Sequence, residues 1–144
     1  MDRTTKRTAK YLLCSVLILC VGMAAGVIYF FDSIFPKAGP VNLPEIEDII
    51  SVSIGCSTLD MTIPMNANDI EEVFKYLSEG EPTRQQAMDD HPVEKLYYAV
   101  LVLTAEREYC YFIYEKGGQV YIEVPYEGIY KTQAALLDLA LAYY

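Results

Sequence analysis

The chain has 144 residues, enough for one domain. With 53% hydrophobic and 22% charged residues it is neither disordered nor collagen-like. A net charge of −9, from 11 Lys and Arg against 20 Asp and Glu, offers no basic face for nucleic acid, and 4 Cys, 1 His and no Trp leave little for metal or redox chemistry, so no cofactor is expected.

Residues 11–31 form a run of 21 residues without a charge. As a helix rising ~1.5 Å per residue, this run spans roughly 31 Å, the thickness of a hydrocarbon core. Arg3, Lys6, Arg7 and Lys10 precede it and Asp32 follows. The positive-inside rule then makes residues 1–10 a cytoplasmic tail, residues 11–31 a single transmembrane helix or signal anchor, and everything after it extracytoplasmic. Charge divides the same way, with +3 over residues 1–31 and −12 over residues 32–144. Gly22 and Gly26 make a GxxxG pattern that lets two spanning helices approach closely, the basis of an alternative reading as an accessory membrane subunit or homo-oligomer. In a second alternative, residues 11–21 are the apolar region of a cleaved signal peptide and the domain is secreted. In a third, Cys20 carries a lipid, although bulky Ile18 and Leu19 sit where that peptidase wants small residues. The apolar run continues through Val27-Ile28-Tyr29-Phe30-Phe31, past the point where a signal peptide turns polar, which favours the anchor.

Residues 32–44 carry Pro36, Pro40 and Pro44 and read as a semi-extended stalk. The domain proper is then residues 45–144. Ile50, Val52, Ile54 and Cys56 alternate with Ser51, Ser53 and Gly55, which predicts a half-buried strand with the first four facing inward. Met61-Thr62-Ile63 reads as a short return strand ended by Pro64. Ile70, Val73, Phe74 and Leu77 predict an amphipathic helix, with Asn68 and Glu71 as a capping box and Gly80 as its stop. Residues 80–92 read as a loop. Three strands follow, the first central, with Lys116-Gly117-Gly118 as the hairpin turn between the second and third. After a turn at 126–131, Thr132 caps a final apolar helix too short to cross a bilayer. The expected fold class is α+β: a mostly antiparallel sheet of about 4–5 strands with two packed helices.

Cys56 and Cys110 form the extracytoplasmic pair, and a bridge between them is permitted in an oxidising compartment. His91, in Asp89-Asp90-His91-Pro92, lacks a second His or thiolate for a metal site. Glu106 with Glu108, or Glu123 with Glu127, are the carboxylate pairs on which a small hydrolase would rest, a reading set below the non-enzymatic one. Tyrosine is the abundant recognition residue. Tyr97, Tyr98, Tyr109, Tyr111, Tyr114, Tyr121, Tyr126 and Tyr130 crowd the last strands, so a Tyr-rich face is left over if Val100, Val102, Phe112 and Ile122 meet the helices.

The run Tyr121-Ile122-Glu123-Val124-Pro125-Tyr126-Glu127-Gly128-Ile129-Tyr130 resembles the YIE-x-PY-x-GIY signature of a Firmicutes domain-of-unknown-function family of small exported or membrane-anchored proteins. Pro82-Thr83 and Asp90-His91-Pro92 resemble that family's PT…ND-x-P loop, with Asp89 in place of Asn and Ala87 in place of Ser. The resemblance implies the compartment and supplies no activity. The candidate binding surface is Tyr121, Glu123, Tyr126, Glu127 and Tyr130 with Thr83 and Asp90 from the loop, and the expected partner is a protein or cell-envelope component. The same run also reads as a structural corner, in which Pro125 ends a strand and Gly128 permits the turn.

Overall fold

The computed structural model describes residues 3–144, with side chains from Leu13 onward; the basic side chains of the tail over residues 1–10 lie outside the described residues. The chain forms two units, Met1–Pro36 and Lys37–Tyr144. The first is a single helix, α1 (Arg3–Ile34), whose span-length apolar stretch is Leu13–Ile34. That stretch ends later than the charge pattern implied, because the helix runs on through Asp32. Every side chain from Leu13 to Ile34 is exposed.

The second unit is α+β. Its strands are β1 (Ile49–Cys56), β2 (Thr62–Pro64), β3 (Glu81–Pro82), β4 (Tyr98–Thr104), β5 (Glu108–Lys116), β6 (Gln119–Val124) and β7 (Gly128–Thr132). Its helices are α2 (Ala67–Ser78) and α3 (Ala134–Leu141). The strands form one antiparallel sheet of seven in the order β2-β1-β4-β5-β6-β7-β3. The two strands beyond expectation are β3 and β7. Pro82, Pro125 and Gly128 read locally as loop and turn, yet β7 is an inner strand whose backbone pairs with β6 on one side and β3 on the other. Both edges are short and carry proline, Pro64 in β2 and Pro82 in β3.

Register assigns the faces. Val52, Ile54 and Cys56 lie beside Tyr98, Val100 and Val102, then Tyr111 and Ile113, then Ile122 and Tyr130. On this helix face α2 contributes Val73, Phe74, Tyr76 and Leu77, and α3 contributes Leu136 and Ala140. Burying such side chains at ~25 cal/mol per Å² is the main stabilising contribution. Ile50 departs from expectation: a register shift between Ile49 and Ser51 turns Ile49 toward the core and leaves Ile50 64% exposed. Phe112 also departs, lying on the opposite face beside Ala99 and Glu123.

The caps shift as well. Asn66, not Asn68, caps α2: its Oδ1 accepts the Asp69 N–H at 3.0 Å and its Nδ2 donates to Asp69 Oδ2 at 2.6 Å. Gly80 follows α2 because a Cβ there would lie 3.3 Å from both Tyr130 Cβ and Val41 Cγ2. Gln133, not Thr132, precedes α3, without a side-chain cap. At the β5–β6 hairpin, Gly117 (φ 61°) and Gly118 (φ 79°) supply the positive angles of a two-residue turn.

The segment read as a stalk is extended, but from Lys37 onward it belongs to the domain. Ala38, Val41 and Leu43 pack against the core, Pro44 is buried, and Tyr111 donates its hydroxyl to the Asn42 carbonyl at 2.7 Å. These three apolar side chains have a sheet to cover, which proline spacing alone does not reveal.

Candidate functional site

The face of the sheet away from the helices carries Tyr114, Tyr121, Glu123 and Ile129 on one half. The loop of residues 83–97 crosses this half and is fastened at five points. The Thr83 hydroxyl donates to the Ile129 carbonyl at 2.6 Å, and the Ile129 N–H donates to the Gln85 carbonyl at 3.3 Å. The Tyr126 hydroxyl donates to Asp90 Oδ1 at 2.5 Å, His91 stands edge-on to Phe112 at 6.4 Å, and Glu94 pairs with Lys116 at 2.8 Å. Ala87 and Pro92 are the buried plugs of the loop. The loop's far end is fixed by Ser57, whose hydroxyl donates to the Lys95 carbonyl at 2.9 Å and accepts the Tyr97 N–H at 3.1 Å.

Most of the sequence-nominated surface is therefore brought together, chiefly as a clasp between loop and corner. Thr83 and Asp90 reach the corner that holds Tyr126 and Glu127. Tyr126 is 69% exposed and, with φ 62°, is the described non-glycine residue held in the left-handed region. Glu127 is exposed and accepts Asn42 Nδ2 at 3.4 Å. Tyr121 is half-buried and stacks on Tyr114, ring centroids 5.8 Å apart. Tyr130 does not belong to this surface: it is 1% exposed and faces the helices, because period-two alternation places it opposite Ile129.

Glu123 is enclosed beneath the loop, 6% exposed. Burial holds its carboxyl above the ordinary carboxylate range and the nearby Glu94 and Asp89 add to this, while a hydrogen bond from Tyr114 and the Lys116 charge act the other way. Burial first, and then Glu123, push the Tyr114 phenol well above its usual value.

The tyrosines do not form a single leftover face. Tyr98, Tyr111, Tyr114 and Tyr130 are buried, Tyr97, Tyr109 and Tyr121 are half-buried, and only Tyr126 of the eight is exposed. Cys56 and Cys110 are not bridged. Both are free thiols, on opposite faces of the sheet, with Cys56 paired to Tyr98 and Cys110 to Leu101. Burial, and after it the Glu108 charge, push the Cys110 thiol up to about 12, far from a reactive thiolate. On α1, a Cβ added at Gly22 or Gly26 would meet nothing within 4 Å.

The other half of the same face, over β1, β4 and the start of β5, has no loop across it. A cleft of about 380 Å³ opens there, with Ala99, Leu101 and Phe112 on the sheet, Leu59, Asp60 and Met61 on the β1–β2 turn, and Tyr97 at the end of the loop. Of the outward β1 residues Ser51, Ser53 and Gly55, it is Gly55 that lines the cleft.

Sheet, one-sided helix cover and clasping loop define a small α+β domain whose N-terminal neighbour is an apolar helix. The chain belongs to the DUF5301 family, described as "Domain of unknown function (DUF5300)", which matches residues 37–131 and so takes in both loop and corner. No curated protein matches it. A solved NMR structure of a protein from Ruminococcus gnavus is similar, with a TM-score of 0.54 and 26% sequence identity, covering 65% of this chain and 91% of that one.

Proposed function

We propose that this protein is a membrane-anchored, non-enzymatic interaction module: α1 crosses the membrane with its basic tail in the cytoplasm, and the acidic domain binds a protein or envelope component outside. The observation that carries the reading is Leu13–Ile34, 22 residues of apolar helix with none of it buried against protein. At ~1.5 Å per residue it measures roughly 33 Å, and lipid is the solvent that suits a helix apolar on every side. The charges flanking the span fit this orientation, since Arg3, Lys6, Arg7 and Lys10 precede it and Asp32 is the first charge at its far end.

Membrane fractionation with a carbonate wash, followed by protease shaving of intact cells, tests the proposal. The protein is expected to stay in the washed membrane pellet, and the domain to be digested from outside while a tag at the N-terminus survives. A domain protected from external protease overturns the topology. N-terminal sequencing that begins after residue 21 overturns the anchor and gives the secreted reading instead.

A further inference from the structure

The loop of residues 83–97 is built with its polarity inverted. Val93 is 86%, Met88 73% and Leu96 53% exposed, so its large aliphatic side chains stand in water. What it turns toward the sheet is small or charged: Ala87 and Pro92 are buried, and the Glu94 side chain, 21% exposed, reaches Lys116. Such a segment gains little from apolar burial and is held mainly by hydrogen bonds and charge, the profile of a unit that opens before the rest of the fold does. Strain adds to this. Tyr126, whose hydroxyl latches Asp90, holds φ 62°, an unfavourable angle for a side chain of its size.

Beneath the loop lies Glu123, 6% exposed, in the row Phe112, Glu123 and Ile129. Of the loop's own charges, Glu94 and Asp89 oppose its ionisation; from β5, Lys116 favours it and Tyr114 donates to the carboxylate. Asp90 is taken by the Tyr126 hydroxyl, and His91 stands against Phe112. From β6 comes Tyr121, stacked on Tyr114, and β7 sets Lys131 beside Tyr121, one row away. Glu127 at the corner accepts from Asn42, and Arg84 and Lys95 lie near the loop's two ends. Lifting the loop returns the Glu123 carboxyl to water, so the closed state holds its proton more readily than the open one. Closure therefore gains from Glu123 in full below the ordinary Glu value of about 4.3, and loses that gain as pH rises through the higher closed-state value.

We propose that the 83–97 loop is an acid-closed lid: with Glu123 protonated it stays seated on the sheet, and with Glu123 ionised its open population rises and Glu123 is uncovered. The loop is thus the resident occupant of part of the sequence-nominated surface, covering Glu123 in one state and offering it in the other. The device belongs to the domain alone and does not depend on whether α1 crosses a membrane.

The test is hydrogen exchange read by mass spectrometry on the full chain in a mild non-ionic detergent, at pH 4 and pH 7, with labelling times scaled to the intrinsic exchange rates. Two amides report the lid directly: the Thr83 N–H donates to the Ile129 carbonyl at 3.0 Å, and the Ile129 N–H to the Gln85 carbonyl at 3.3 Å. Peptides carrying Thr83 or Ile129 are expected to lose protection about threefold or more between pH 4 and pH 7, while those of β4 stay unchanged. Glu123→Gln cannot ionise and is expected to hold the pH 4 protection at pH 7. Tyr126→Phe removes the latch on Asp90 and is expected to lower protection in the same peptides at both pH values, keeping their ratio.

Equal protection of the lid peptides at the two pH values overturns the proposal. So does a pH response that survives in Glu123→Gln with a wild-type circular dichroism spectrum, which assigns the switch to another group such as His91. Loss of protection in β4 in step with the lid overturns it too, since the domain then opens as a whole. Should Glu123→Gln fail to fold, Lys116→Gln takes its place: it removes the cation that favours ionised Glu123 and is expected to widen the difference between the two pH values, and an unchanged difference overturns the proposal. A domain found inside the cell overturns the proposed topology and leaves the exchange result standing, so the two failures are distinguishable.

Discussion

Glu123 is the one carboxylate buried among the described side chains, and its environment disfavours its charge. Its folded form holds a proton more readily than the unfolded chain does. Its stabilising contribution is therefore fully present below the ordinary Glu pKa of about 4.3 and is lost as pH rises through the higher folded value. At neutral pH the enclosed charge is a cost. Glu123→Gln keeps an acceptor for Tyr114 and removes the charge, so it is expected to stabilise the domain by about 1 kcal/mol at pH 7 and to gain nothing at pH 4. Thermal melts of both proteins at the two pH values measure this; an equal gain at pH 4 would show that the charge is not the cause. The sequence marks Glu123 as part of a motif, and the family resemblance groups Thr83 and Asp90 with it. Its burial is not legible there, because the cover is a loop about thirty residues distant in sequence. Tyr130 was misplaced for a simpler reason: reading 126–131 as a turn hides the alternation that sends Ile129 and Tyr130 to opposite faces.

At the scale of elements, local signals were reliable and docking was not. The period-two pattern of β1 from Ser51 onward, the 3.6-residue spacing of α2 and the Gly117-Gly118 hairpin all appear where the residues put them. Long-range consequences escaped: that β7 is an inner strand, that the cysteines face apart, and that residues 37–44 strap the domain rather than lift it. The strap explains Gly128. A Cβ at that position would come 2.5 Å from Ala38 Cβ, so the strap passes where a side chain would otherwise stand. Gly128→Ala is expected to destabilise the domain by about 1–3 kcal/mol, the usual range for overpacking. Ala38→Gly in the same chain is expected to restore part of this loss. Melting temperatures of the single and double variants decide it; additivity without rescue would mean that the clash is relieved elsewhere.

For the whole molecule, the compositional average conceals a division. The chain is not evenly acidic: residues 1–31 carry +3 and residues 32–144 carry −12. On the proposed anchoring, such a protein is held in two dimensions, where neighbours meet far more often than in free solution. Under such crowding, exposed strand backbone is a hazard, because unpaired N–H and C=O groups template fibres. Here β2 has three residues and β3 has two, and each includes a proline that withholds a donor. Replacing Pro64 and Pro82 together by Thr is expected to raise thioflavin-positive aggregation of concentrated protein, and no rise would mean that brevity of the edges suffices. On that anchoring, Pro82, which hides β3 in the sequence, and Pro64, which ends β2, are what would let many copies share a membrane without zipping together.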